Sequence, residues 1–260
     1  MKSSTSLKLG IATLVAIALG FGSCKKDSTD SDTASVQDNA VVDAAFNDVG
    51  SIADEGFTGS VSSYRTEGEA PVMLSTCANV TLDTLAIPHK FTIDFRTTNC
   101  LCNDGNYRRG KIIVTYTGIY RDSGSSHSIT FDNYFVNDNQ LTGTKTVVNT
   151  GRNTSGNLTY SVSINGSVIF AAANGGGTST YNSNRTREWI HGENTPFIWS
   201  DDVYLISGTG SGTGRNGGSY TMSTSTPLRK EIGFRYMTSG ILNFTPSGKA
   251  TRTIDFSYLN

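Results

Sequence analysis

From Val72 onward the chain alternates apolar and polar side chains with a period of two. Ile112, Val114 and Tyr116 alternate with Thr115 and Thr117. Leu158, Tyr160, Val162 and Ile164 alternate with Thr159, Ser161 and Ser163, and Tyr220 and Met222 with Thr221 and Ser223. Half-buried strands have this pattern, one face dry and one wet. Turn signals interrupt it at fairly even intervals: Asp122-Ser123-Gly124-Ser125, Asn137-Asp138-Asn139, Asn153-Thr154-Ser155-Gly156, Asn165-Gly166, Asn174-Gly175-Gly176-Gly177, Asn216-Gly217-Gly218 and Pro246-Ser247-Gly248. Strands of roughly ten residues joined by short turns leave no room for crossover helices, which predicts antiparallel neighbours in a meander.

One earlier segment has the helical period. Val42, Phe46, Val49 and Ala53 fall at i, i+4, i+7 and i+11 and predict a helix over Val36 to Glu55, inside an element spanning 35–57. Ser35 with Asp38 three residues later resembles a capping box, and Gly56 is the expected stop. The polar face of the helix is acidic and not basic, which disfavours a helix lying on a membrane surface, and Asp38 and Asp43 favour the N-terminal end of the helix dipole. The fold expected is all-β: a large curved antiparallel meander, a partly closed barrel or half-barrel, whose concave face takes this N-terminal amphipathic helix. A two-sheet β-sandwich is the alternative. A transmembrane barrel is disfavoured because Thr and Ser dominate the wet face.

The N-terminus follows a different logic. Lys2 and Lys8 precede an uncharged stretch from Leu9 to Gly22, too short for a bilayer core of about 30 Å. Then comes Phe21-Gly22-Ser23-Cys24, which resembles a bacterial lipobox with Phe21 where Leu is usual. The resemblance implies that residues 1–23 are a signal peptide. It also implies that Cys24 carries diacylglycerol and that its new amine is acylated, as with palmitate. Two or three acyl chains anchor stably, at about 0.8 kcal/mol per buried CH₂. Residues 24–34 are polar and read as a disordered tether, leaving 58–260 as the β domain. Lys25-Lys26-Asp27 resembles export signals on surface lipoproteins of Bacteroidota. That implies the outer membrane, with the outer surface favoured over the periplasmic face.

Composition narrows the partners. The formal charge is -1, with 21 basic and 22 acidic residues, so nothing points to nucleic acid. The membrane, through the lipid, and a glycan or envelope protein are the partners expected. With Cys24 used by lipid, Cys77, Cys100 and Cys102 remain in an oxidising compartment, enough for one bridge with one thiol left over. Joining Cys77 to Cys100 or Cys102 would close a loop of roughly 25 residues and add about 3 kcal/mol. Cys-Leu-Cys is the wrong spacing for zinc. No metal and no cofactor is expected.

Several stretches together resemble a family of uncharacterised Bacteroidota lipoproteins: Thr92-Ile93-Asp94-Phe95, Asp104-Gly105-Asn106-Tyr107 running through Gly118, Phe131-Asp132-Asn133-Tyr134, and Ser183-Asn184-Arg185-Thr186-Arg187-Glu188-Trp189. The resemblance brings no activity. It implies a further cysteine-bearing strand beyond Thr253-Ile254-Asp255-Phe256 in relatives.

The most site-like segment is Arg185 to Tyr204, which holds both tryptophans, Trp189 and Trp199, beside Glu188, Glu193, Asp201 and Asp202. Aromatic rings that stack on sugars and acids that hydrogen-bond them would make a glycan site. A glycosidase also needs two carboxyls about 5–9 Å apart. The plain alternative puts Trp189 in the core and the acids in solvent. His89, His127 and His191 match no metal or triad spacing, and no Gly-x-Ser-x-Gly elbow is present. The glycine-rich run Gly208 to Gly214 lacks the Lys-Ser/Thr ending of a phosphate loop. Arg108-Arg109-Gly110-Lys111 reads as a cluster that blunts a sheet end. The function expected is a lipid-anchored envelope protein with a non-enzymatic binding or structural role and no catalytic residues. The alternatives are a hydrolase of glycans or peptidoglycan, and a carrier of an apolar ligand in the concave sheet.

Overall fold

Asn137 and Asp138 adopt positive φ, 48° and 65°, as the central residues of a two-residue hairpin turn whose twist matches its strands. Longer turns, such as 153–157 and 214–218, join other neighbouring strands. The computed structural model describes residues 33–60, 78–195, 198–232, 234 and 237–258, all within the unit Asp32–Asn260. Cys24 and Cys77 lie outside the described residues, as do the expected signal peptide and most of the expected tether.

The helix α1 (Ala34–Ser60) is followed by β1 (Asn79–Asp83), β2 (His89–Asp94), β3 (Cys100–Leu101) and β4 (Tyr107–Tyr116). Next come β5 (Ser126–Val136), β6 (Asn139–Arg152), β7 (Leu158–Ile169) and β8 (Thr178–His191). The last strands are β9 (Val203–Thr213), β10 (Ser219–Glu231), β11 (Ser239–Pro246) and β12 (Arg252–Asp255). They form one 12-stranded antiparallel sheet in sequence order, with the short β3 set aside on β4. The sheet is an open meander, and α1 packs on one of its faces. One sheet replaces the two of the sandwich alternative, because each turn returns the chain beside the strand it has just left.

The expected apolar stripe of α1 is the centre of the core. Val42, Phe46, Val49 and Ile52 are fully buried, together with Ile93, Phe95, Ile112, Tyr181 and Phe244. The ring of Phe46 lies over β7 at Gly166, where an added Cβ would sit 2.3 Å from its Cζ. This corrects the turn reading of Asn165-Gly166. The pair lies mid-strand, opposite Asn182 and Tyr181, and glycine is there to admit the Phe46 ring. The same close approach explains the glycine run. On β9, Gly210 and Gly212 face Met222 and Tyr220, and a Cβ at either position would come within 2.3 Å or 2.5 Å of those side chains.

The helix ends also depart from expectation. It starts at Ala34 and runs through Gly56 to Ser60. Glu55 and Gly56 are buried, and burial against the sheet outweighs the local stop signal. Asp38 does not cap its own helix. Its carboxylate accepts from the backbone N–H of Arg215 and from Arg215 Nε, both at 2.7 Å.

Further acids of α1 are paired with cations of the sheet. Asp43 takes Arg185 at 3.0 Å and the Tyr181 hydroxyl at 2.5 Å. Asp48 takes Arg108 at 2.7 Å. Arg108 is completely buried and also held by Asp104, so it clamps the helix and does not blunt an edge. Burial opposes the Arg108 charge, but Asp104 and Asp48 outweigh it and its pKa is raised. Burial also pushes the Asp48 carboxyl up, against the pull of Arg108. Lys145, 5% exposed on β6, donates to the carbonyl of Phe46 at 2.9 Å. Burial pushes its ammonium down to about 8, with Asp54 and Asp43 pulling the other way.

Cys100 is disulfide-bonded and Cys102 is a free, buried thiol. Cys102 therefore leaves the set of bridge candidates: the chain turns inward after β3 and packs it in the core.

Phe46→Asp should lower stability by several kcal/mol, since it buries a charge and empties the centre of the core. Gly166→Ala should lower the melting temperature in the same way, and unchanged melting curves for both would contradict this packing. Lys145 has a folded pKa below its unfolded value of about 10.5, so the unfolded chain binds the extra proton between the two. Stability should then rise with pH from about 8 to 10, by about 1–3 kcal/mol. Lys145→Met should remove that rise, which denaturant melts across the window would read.

Candidate functional site

The segment from Arg185 to Tyr204 folds into a second, smaller core at one end of the helix-covered face. Val147, Leu158, Tyr160 and Trp189 are buried there, packed against Tyr120, Val162 and Tyr204. Arg187 lies over three tyrosine rings, 5.4 Å from Tyr120, 5.2 Å from Tyr160 and 4.9 Å from Tyr204. Arg121 lies 4.4 Å over Trp189. Such contacts between guanidinium and aromatic face stabilise by about 0.5–2 kcal/mol each.

Trp189 is therefore a core residue, 5% exposed, and no sugar platform. The acids around it are each committed to structure. Asp202 accepts from Trp189 Nε1 and from the Tyr204 hydroxyl, both at 3.1 Å. Asp201 accepts from the Thr195 hydroxyl at 2.6 Å, while its carbonyl meets His191 Nδ1 at 2.8 Å. Glu188 points to the other side of the sheet, where Asn153 and Asn157 both donate to it at 2.7 Å. Glu193 is paired with Arg152 across the β6–β7 turn. Trp199 begins a short 3-10 turn, Trp199–Asp201. The predicted cluster is thus brought together in the chain and divided in space, with Glu188 on one face and Asp202 on the other. Burial raises the Asp202 carboxyl to about 6, opposed by the bonds from Tyr204 and Trp189. Glu193 is held low by Arg152. Among the described residues no group of His, Cys, Asp and Glu side chains could hold a metal ion.

The face away from the helix carries a feature that strand-by-strand reading misses. Directly paired residues of neighbouring strands share a face. One row runs from Thr115 on β4 through Ser128, Thr146 and Ser163 to Asn184 on β8. It continues through Thr209, Ser223 and Asn243 to Thr253 on β12. A second row passes from Thr130 through Thr144, Asn165 and Asn182 to Ser211, then Thr221 and Thr245. Between these ends neither row contains a charged or an apolar side chain; beyond Thr115 the first meets Lys90 on β2, and beyond Thr130 the second meets Ile113 on β4. Where the two cross β8 to β11 they line a groove of about 430 Å³, whose walls are Asn, Thr and Ser with Gly210 and Met222 between them. The signal available in the sequence was the Ser/Thr/Asn content of the wet positions. Alignment into rows needs the register.

Comparison of the chain with protein-family models, with curated proteins and with solved structures finds no match.

Asp202→Ala should cost about 1–3 kcal/mol by stranding the Trp189 and Tyr204 donors. Asp202→Asn keeps an acceptor and should cost clearly less. Equal losses in chemical denaturation would contradict the assigned role.

Proposed function

We propose that this chain is a lipid-anchored protein of the cell envelope, held at the outer membrane and facing outward, that acts by binding and not by catalysis. The anchor rests on Phe21-Gly22-Ser23-Cys24 and the lysines before it. In this reading the open sheet curls as a half-barrel around α1, supported by helix contacts that extend from β1 to β8. The observation that carries the binding role is the difference between the two faces. The helix-side face is filled by the α1 stripe and its ion pairs, leaving no apolar hollow for a carried ligand among the residues described. The opposite face offers the uncharged polar groove. A hydrolase needs two free carboxyls in reach of one bond. Glu188, Glu193, Asp201 and Asp202 are instead tied to Asn153, Arg152, Thr195 and Trp189.

In cells fed a labelled fatty acid, the wild-type chain should take up label and Cys24→Ala should not. Protease added to intact cells should remove the protein while a periplasmic control survives. Label retained by Cys24→Ala would overturn the anchor, and survival beside the control would overturn the outward orientation. Incubation with peptidoglycan or glycans should release no new reducing ends, and their release would favour the hydrolase.

A further inference from the structure

On the face away from the helix some hydroxyls bond one another across strands. Thr180 and Thr213 do so at 2.9 Å, Thr142 and Ser167 at 2.8 Å, and Thr245 and Thr251 at 2.8 Å. Within the groove Thr245 and Asn243 are bonded in this way, to Thr251 and Thr253, but their neighbours are not. Asn182, Asn184, Thr209, Ser211, Thr221 and Ser223 make no side-chain hydrogen bond among the described residues. Bonded pairs thus lie beside six side chains whose donors and acceptors are free for a ligand in place of solvent, and most of the six are exposed.

The chemistry of the patch selects its ligand. It carries no cation to meet a phosphate, sulfate or carboxylate polymer, and no anion to meet a basic one. Its only apolar side chain, Met222, is buried, so it offers nothing to anchor an acyl chain or the side chains of an apolar peptide. What remains is a dense array of neutral groups that both donate and accept, which matches a ligand rich in hydroxyls. The array is also periodic. Its rows cross the strands in steps of about 4.8 Å and lie about 6.6 Å apart. The row from Thr115 to Thr253 crosses nine strands and extends about 38 Å. A pyranose ring is of the same order as one strand step. Sheets twist by about 20–25° from strand to strand. A flexible chain can follow that path, and a rigid flat lattice cannot.

We infer that the groove across β8 to β11 binds a linear polysaccharide of uncharged sugars, laid along the Thr/Ser/Asn rows. This rests on the binding role proposed above and names its ligand class.

The test is affinity electrophoresis of the intact, detergent-solubilised protein through gels containing dextran, hydroxyethyl cellulose or polygalacturonate. At least one of the neutral glucans should retard it and polygalacturonate should not. Thr209→Val combined with Ser223→Ala keeps strand propensity and removes two unspent hydroxyls, and should weaken retardation about tenfold. Thr142→Val, whose hydroxyl is already spent on Ser167 outside the groove, should bind as the parent does. Retardation equal in the double variant and the parent, at equal melting temperature, would overturn the site. Retardation by polygalacturonate alone would overturn the ligand class while leaving a binding role intact. No retardation by either glucan would overturn the inference. Release of reducing ends in the gel would support the ligand class and overturn the non-catalytic reading instead.

Discussion

The helix-covered face of this sheet carries cations, and a sheet cannot bury cations without partners. Arg108 and Lys145 are almost wholly withdrawn from water, and Arg185 nearly so. Leaving even one such charge uncompensated costs several kcal/mol. Most of the compensation comes from one element, with Asp104 in the β3–β4 connection as a second partner of Arg108. Asp38, Asp43 and Asp48 are spaced five residues apart on α1 and step across the sheet from Arg215 in the β9–β10 turn, through Arg185 on β8, to Arg108 on β4. Lys145 takes a helix carbonyl instead. The apolar stripe supplies most of the burial energy, and the ion pairs fix where along the sheet the helix must lie. A helix shifted by one turn would keep much of its apolar contact and break every pair. In this protein the buried charges are best understood as register marks for the helix, a role for which buried polar groups have precedent.

How much of this was legible in the sequence depends on the range of the cause. Alternation in Ile112-Ile113-Val114-Thr115-Tyr116 is local, and those residues do alternate between the two faces. The stripe Val42, Phe46, Val49, Ala53 is local too, and all four are buried. The partners of the α1 acids were not legible because they lie far along the chain, 60 residues away for Asp48 and Arg108 and 177 for Asp38 and Arg215. Asn165-Gly166 looked like a turn because Asn-Gly normally is one. The Phe46 ring that requires Gly166 belongs to a different element. Gly56 failed as a stop for the same kind of reason: tertiary burial of the helix end overrode a local preference of about 1 kcal/mol.

The candidate site divides along the same line. The tryptophan-rich segment drew attention through its composition, yet Trp189 and Asp202 satisfy each other inside a core. The polar groove was invisible because no single strand contains it. Each strand contributes one or two of its residues, and only the pairing register lines them up. That register is set by turns such as Asn137-Asp138 and by the mid-strand glycines that let large side chains cross the other face. The two faces are therefore coupled: the register that places glycines beside Phe46, Met222 and Tyr220 on the helix side is the one that aligns the hydroxyls and amides opposite.

If α1 is the element that neutralises and fixes the sheet, it cannot open on its own. Native-state hydrogen exchange, resolved by residue, measures this directly. The amides of α1 around Phe46 and Val49 should exchange only through global unfolding, with the same opening free energy and denaturant dependence as those of β4, β6 and β8. Exchange of the helix at a much lower opening free energy, with the sheet still protected, would contradict it: the sheet would then tolerate its buried cations without the helix.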